Sequence, residues 1–261
     1  MTDTLNLTIT DFIGCIEINN QARRNAFDLA MWQKLPQLVQ QLDQNSAVRL
    51  IILRGVGKSA FCSGADISEF STVRATAAGG KAYEQANEAA FAALAHCSKP
   101  TLAAIRGFCM GGGVGLAASC DLRIAESGTE FGIPAARLGV GYPPRAMALV
   151  VAALGVQTAM DLFATARRFK AEEAQRIGFL ASIFAPETFE QQLAEMAQAI
   201  AANAPLTIKA AKAAIHHAAG LPGAADAQTA EALAAACYDS ADYVEGRTAF
   251  LDKRPPRFTG H

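Results

Sequence analysis

The chain has 261 residues, 51% of them hydrophobic and 18% charged, with a formal net charge of −1. That length gives one large core with an appendage, or two small domains. The near-neutral balance argues against nucleic acid or an anionic membrane surface as partners, and no apolar run approaches the ~18 residues of a transmembrane helix.

The start, Met1-Thr2-Asp3-Thr4, lacks the basic-then-apolar order of a secretory signal. Leu5 to Thr10 alternates apolar and polar residues, as does Ile13 to Ile18, so Asp11-Phe12 predicts a tight hairpin. After Arg23-Arg24-Asn25-Ala26-Phe27, Asp28 is a candidate N-cap for a helix carrying Met31, Leu35, Leu38 and Leu42 on one face. Pro36 inside it should start or kink a segment. Val48 to Leu53 is β-branched and nearly all apolar, like a strand covered on both faces. Gly55 to Ile67 then reads as a small-residue loop past the C-terminal end of that strand, where α/β folds bind ligands.

Ser71 to Gly80 is small and polar, a segment of expected mobility, and Lys81 to Cys97 has helical spacing. Thr101 to Ile105 is a short buried strand by composition. It leads into Arg106-Gly107-Phe108-Cys109-Met110-Gly111-Gly112-Gly113-Val114-Gly115 and then Leu116 to Ser119, a helix-tolerant run. Glycines at a strand-to-helix junction let backbone N–H groups approach a ligand without a Cβ in the way. A helix N-terminus adds unpaired N–H groups and the positive end of the dipole, suited to a developing oxyanion. The same run is equally compatible with close helix packing alone.

Leu122 to Ala125 predicts another strand, Phe131 to Pro144 a Gly/Pro-punctuated loop, and Met147–Leu154, Thr158–Thr165 and Ala171–Arg176 helices. Phe179 to Phe184 is a last strand. Alanine-rich helices follow over Glu187–Asn203, Leu206–Ala219 and Ala224–Asp239, with a short one over Glu245–Lys253. Strands alternating with helices and then helices only imply an α/β core, 1–200, and a helical region, 201–261. Six scattered cysteines without a CxxC pair read as buried free thiols of a reducing cytosol, not a disulfide frame or a metal site. His96, His216 and His217 have no visible partner in the sequence and receive no catalytic role.

Taken in order, Arg23-Arg24-Asn25-Ala26, Ala60 to Ile67, Gly107 to Gly113, Asp121 to Ala125, Phe131-Gly132-Ile133-Pro134, Leu138-Gly139 and Phe250 to Arg254 resemble the crotonase (enoyl-CoA hydratase/isomerase) superfamily. The resemblance covers nearly the whole chain. A competing dinucleotide pattern, Gly113-Val114-Gly115-Leu116-Ala117-Ala118, fits G-x-G-x-x-A, but that motif belongs in a first βαβ unit, and several elements precede it here. The resemblance implies an α/β, crotonase-like spiral of ββα turns with a C-terminal helical trimerisation region. It implies a homotrimer or dimer of trimers acting on an acyl-CoA thioester, with no metal and no cofactor beyond the coenzyme A of the substrate; the cysteine usage, for its part, makes a cytoplasmic location the expectation. By position, the amides of Ala65 and Gly112 hold the thioester oxygen. Arg23, Arg24, Ser63, Gly64, Ala65, Asp66 and Ile67 line the CoA path, and Lys253 adds a phosphate contact; solvated surface charges are the alternative for the three basic residues.

At the three positions where members of this family carry carboxylates, this chain has Gly115, Ala135 and Pro143. Hydration needs an activated water and a proton donor to Cα, so the standard two-glutamate mechanism does not fit. Tyr142 matches a tyrosine of methylmalonyl-CoA decarboxylase-like members. Arg145 can pair with a second substrate carboxylate. Three expectations follow: an enoyl-CoA hydratase/isomerase-type enzyme of altered chemistry, a decarboxylase or hydrolase of a malonyl-type or branched acyl-CoA using Tyr142 and Arg145, or a non-catalytic CoA-ester binder. Asp66 reads as a loop-fixing residue, and Glu69 and Glu130 as acids near enough to swing in.

Overall fold

The structure, a computed structural model, describes residues 4–69 and 71–261; Met1-Thr2-Asp3, read above as no secretory signal, lies outside them. Strands β1 (Leu5–Thr10) and β2 (Ile13–Ile18) form the expected antiparallel hairpin. Its two-residue turn, Asp11 and Phe12, has φ of 49° and 67°, both in the left-handed region that matches strand twist. β3 (Leu50–Gly55) pairs parallel with β2. β4 (Ala60–Cys62) leaves for a second sheet. β5 (Thr101–Ile105), β6 (Phe108–Met110), β7 (Leu122–Glu126), β8 (Glu130–Gly132), β9 (Arg168–Lys170) and β10 (Ser182–Phe184) complete the set. The first sheet runs β1-β2-β3-β5-β7-β10 and the second β4-β6-β8-β9. All pairings are parallel except β1–β2 and β8–β9.

The helices are α1 (Leu29–Gln44), α2 (Ala77–His96), α3 (Gly112–Ser119), α4 (Ala135–Leu138), α5 (Pro144–Leu154), α6 (Val156–Thr165), α7 (Ala171–Arg176), α8 (Phe189–Ala201), α9 (Pro205–Ala218), α10 (Ala227–Tyr238) and α11 (Ala241–Leu251). β3 shows why they sit where they do. Successive side chains on a strand point to opposite faces. Ile51 and Leu53 enter the main core with α1, α2 and α3, whereas Leu50 and Ile52 meet Phe189, Leu193 and Ala197 of α8. The strand is covered on both faces, as its composition requires.

Several expectations are corrected. The Gly55–Ile67 and Phe131–Pro144 loops contain β4, β8 and α4, and β9 was not anticipated. Three-residue strands are too short to show a period. β6 intervenes between β5 and α3, so the glycine helix grows from the second sheet. α1 runs unbroken through Pro36, with Asp28 Oδ1 accepting from Met31 N at 2.8 Å as the expected cap. Inside the segment expected to be mobile, α2 already begins at Ala77, capped by Thr76. Cys62, Cys97, Cys109 and Cys120 are buried, but Cys15 and Cys237 are only half-buried; all six are free.

The C-terminal helices are tied to the core by charge. Asp121, just beyond α3, takes Lys212 Nζ at 2.8 Å and His216 Nε2 at 2.9 Å, so His216 does have a partner. The Arg49 guanidinium donates to Ala201 O at 3.0 Å and Phe258 O at 2.6 Å. Among the described residues no single helix is long and apolar enough to cross a membrane.

Candidate active site

The site is built where the 23–27 segment, the 63–66 segment and the start of α3 converge. Arg24 and Asn25 both have left-handed backbone, φ 52° and 57°. The buried Asn25 holds that turn in place: its Nδ2 donates to Val56 O at 3.1 Å and Ala60 O at 2.7 Å. Ser63 then stitches the next segment on, its N donating to Arg24 O at 3.1 Å and its Oγ to Arg23 O at 3.0 Å. Phe27 N donates to Gly64 O and Asp66 N to Phe27 O, both at 2.8 Å. In extended backbone, consecutive peptide groups face opposite ways. With the groups on both sides of Ala65 committed to Phe27, the Ala65 N–H is turned away from it.

Gly64, at φ +99°, brings this segment against the glycine helix. A Cβ there would lie 3.0 Å from Met110 O and 3.4 Å from Gly112 N, a gap that only glycine leaves open. Gly111 (φ 52°, ψ −116°) makes the entry turn, and Gly112 is the first residue of α3. Among the described residues neither Ala65 N nor Gly112 N has an acceptor within the chain. Both residues line one narrow cavity of about 70 Å³, together with Tyr142, Pro143, Arg74, Glu84 and Asn87.

The rest of the glycine run serves packing. A Cβ on Gly113 would sit 2.4 Å from Cys62 O, and one on Gly115 only 2.3 Å from Phe91 Cζ. Phe91 is buried and packs edge-on against Trp32 at 5.7 Å. The ring therefore occupies the volume that a side chain at 115 would need. Ala135 is buried, and Pro143, which lines the cavity, has no polar side-chain atom. The packing reading of the run therefore holds at Gly113 and Gly115, and the G-x-G-x-x-A pattern falls on that packed half.

Tyr142 sits edge-on to Phe163 at 5.0 Å, and its hydroxyl is 3.8 Å from the Cβ position of Gly111. Burial pushes its phenol up to about 12, so it stays protonated and acts as a donor, not a base. Tyr83 also lines the cavity, but its hydroxyl is committed, accepting from Trp32 Nε1 at 2.8 Å and donating to Phe27 O at 3.1 Å.

Not every expected site residue arrives. Arg145 lines a different cavity of about 600 Å³, beside Glu88 and His96. Lys253 follows α11, exposed, and does not line the Ala65–Gly112 cavity. Arg23 and Arg24 are exposed beside the Ser63 segment, Arg24 lying 5.7 Å from the Phe108 ring centroid; Ile67 is exposed. Asp66 is held by Ser68 N at 2.9 Å and Ser68 Oγ at 2.8 Å, the loop-fixing role expected of it. Glu69 accepts from Leu29 N at 2.9 Å and Glu130 pairs with Arg168 at 3.1 Å, so neither is poised over the cavity. Glu84 and Asn87 were missed. Their only sequence signal was two polar residues three apart, one helical face, within an alanine-rich helix.

The chain that carries this cavity matches known proteins over nearly its whole length. The enoyl-CoA hydratase/isomerase family matches residues 8–261. The chain belongs to the enoyl-CoA hydratase/isomerase family of enzymes. Among curated relatives, it is 32% identical over 250 residues to the short-chain-enoyl-CoA hydratase of Clostridium acetobutylicum, covering 93% of this chain and 92% of that one. It is 30% identical over 252 residues to the peroxisomal Delta(3,5)-Delta(2,4)-dienoyl-CoA isomerase of Arabidopsis thaliana, with 92% and 90% covered. Among solved structures, an enoyl-CoA hydratase/isomerase family protein of Hyphomonas neptunium superimposes with a TM-score of 0.93 at 36% identity, covering 100% and 99%. An enoyl-CoA hydratase/carnithine racemase of Magnetospirillum magneticum does so with 0.92 at 32%, covering 100% and 97%.

Proposed function

We propose that this enzyme binds an acyl-CoA thioester and stabilises its enolate between the N–H groups of Ala65 and Gly112. One observation supports the reading: two residues whose amides have no acceptor among the described residues, Ala65 and Gly112, line the same cavity. Preorganised donors of this kind act on charge as it develops and need no reorganisation. The coenzyme A runs along Arg23, Arg24 and the Ser63–Ile67 segment, where exposed guanidinium groups suit its phosphates. Calorimetry with a saturated acyl-CoA and uptake of deuterium at its Cα in D₂O test the reading. Binding with exchange is expected; binding without exchange leaves only a CoA-ester binder, and no binding removes the reading altogether.

Standard hydration is not favoured. It requires a carboxylate on each side of the double bond, and the packing of Phe91 against Gly115 leaves no room for one of them. Crotonyl-CoA hydration is expected to run more than about tenfold below that of relatives carrying both acids. The decarboxylase reading loses Arg145, which lines another cavity. For assembly, residues 201–261 are proposed as the oligomerisation region of a homotrimer or dimer of trimers. Ile215, Tyr238, Val244, Phe250 and Leu251 are all exposed there, apolar side chains that a second subunit would cover. Light scattering of the purified protein checks the mass.

A further inference from the structure

We propose that Glu84 is the working carboxylate of this site, and that the reaction it supports is movement of a double bond by a single base, not addition of water. The inference rests on the enolate reading above and deepens it.

The placement follows from helix register. Residues three and four apart lie on one helix face, and Glu84, Asn87 and Phe91 form such a row on α2. The row runs along the start of α3. Phe91 lies over Gly115, and Asn87 Nδ2 is 3.7 Å from the Cβ position of Gly112. Glu84 is the next member of the row, about 4.5 Å further along the axis, and lines the cavity onto which Gly112 opens. It is the only acid in that lining, and among the described residues it makes no hydrogen bond or ion pair. Asp66, Glu69 and Glu130 are all spoken for. The other ionisable groups facing the cavity are Arg74, Tyr83 and Tyr142. Arg74 stacks on Tyr83 at 4.8 Å, and burial raises both phenols, so none of the three accepts a proton near neutral pH.

One base and an oxyanion site suffice for a 1,3-proton shift. With a 3-enoyl thioester, a Glu84 oxygen takes a proton from Cα. The C–H pair becomes the Cα=C1 bond, and the carbonyl pair moves onto the oxygen between Ala65 N and Gly112 N. The dienolate then collapses: the carbonyl reforms, the double bond settles between Cα and Cβ, and the pair of the former Cβ–Cγ double bond takes the proton back from Glu84 at Cγ. Nothing is added or lost, and no water is needed.

The test compares wild type with Glu84→Gln, which keeps size and shape at a half-buried helix position. Conversion of a 3-enoyl-CoA to the conjugated 2-enoyl-CoA is followed by absorbance, and affinity for a saturated acyl-CoA by calorimetry. Glu84→Gln is expected to lower kcat by about 100-fold or more while affinity changes by less than about threefold. A variant that isomerises within about tenfold of wild type overturns the assignment of Glu84 and leaves the oxyanion site standing. A wild type that binds the thioester yet neither isomerises it nor exchanges its Cα proton overturns the enolate reading, and the role of Glu84 with it.

Discussion

The two ends of α3 are finished in opposite ways. At its N-terminus Gly112 presents an N–H to an open cavity, with no acceptor in the chain among the described residues. At its C-terminus the carbonyls are claimed: Arg123 donates to Ala117 O and Cys120 O, Ser119 Oγ donates to Gly115 O, and Asp121 anchors Lys212 and His216. A helix leaves four N–H and four C=O groups unpaired at its ends. Here the chain partners carbonyls around one end and, among the described residues, leaves the Gly112 N–H at the other without an acceptor. The partnered end fixes the eight-residue helix, and with it the position of Gly112 N.

The harshest way to break this picture is to push a side chain into the middle of the helix. Gly115→Glu puts a Cβ 2.3 Å from the Phe91 ring and a carboxylate among buried residues. Overpacking and an unpaired buried charge together are expected to cost about 4 kcal/mol or more. Urea unfolding measures it, and Gly115→Glu combined with Phe91→Ala should recover part of the loss. Were Gly115→Glu as stable as wild type, Phe91 would not be what bars a carboxylate there.

At the open end, Gly112→Pro removes the N–H while proline remains acceptable as the first helical residue. Gly112→Ala, whose Cβ would stand 3.1 Å from Trp32, controls for the added atoms. The proline variant is expected to lose a further ~10²–10³ in turnover relative to the alanine variant, about 3–4 kcal/mol, as steady-state kinetics would read. Equal rates in the two variants would remove Gly112 N from the chemistry.

At the sealed end, Asp121→Asn leaves Lys212 buried without its counter-charge, at an expected cost near 3 kcal/mol. Burial alone would raise the Asp121 carboxyl, but the His216 hydrogen bond and the Lys212 charge outweigh it and hold it below its ordinary 3.8. A depressed carboxyl contributes stability that is full above the unfolded value and is lost as pH falls through the folded one. The wild-type advantage over Asp121→Asn should therefore be complete at neutral pH and shrink below about pH 3.8, which melts across pH would follow.

How much of this was legible in the sequence differs along the same helix. The glycine run, the strand before it and the Ser63–Ile67 segment suggest a backbone site, although packing alone accounts for the run equally well from sequence. The residues alone did not single out one glycine; only the family resemblance pointed to Gly112. The choice among the glycines depends on Phe91 and Trp32, and on a short strand, β6, too brief to show a period. The vacancies at Gly115, Ala135 and Pro143 could be read from the chain, but not the acid on α2. Glu84 looks like any solvated helix glutamate until the register against α3 places it over the cavity. Arg145 errs the other way: close in sequence to Tyr142 and Pro143, it lies at the start of α5 and lines a separate cavity.

The smallest expected effect concerns Tyr142, which stands beside the open end. Its hydroxyl is near Gly111 and its ring is fixed against Phe163, so the phenol can orient a substrate by donating one hydrogen bond. Loss of a neutral hydrogen bond is worth about 1 kcal/mol, so Tyr142→Phe should slow turnover by about tenfold or less. Burial favours the neutral phenol and raises its titration to about 12. The phenol remains a donor below that pH, so pH–rate profiles of wild type and Tyr142→Phe should run parallel from about pH 6 to 10. A limb present only in wild type within that range would make the phenol a proton-transfer group. The division of labour, with backbone amides holding charge and a separate acid moving protons, would then have to be redrawn around Tyr142.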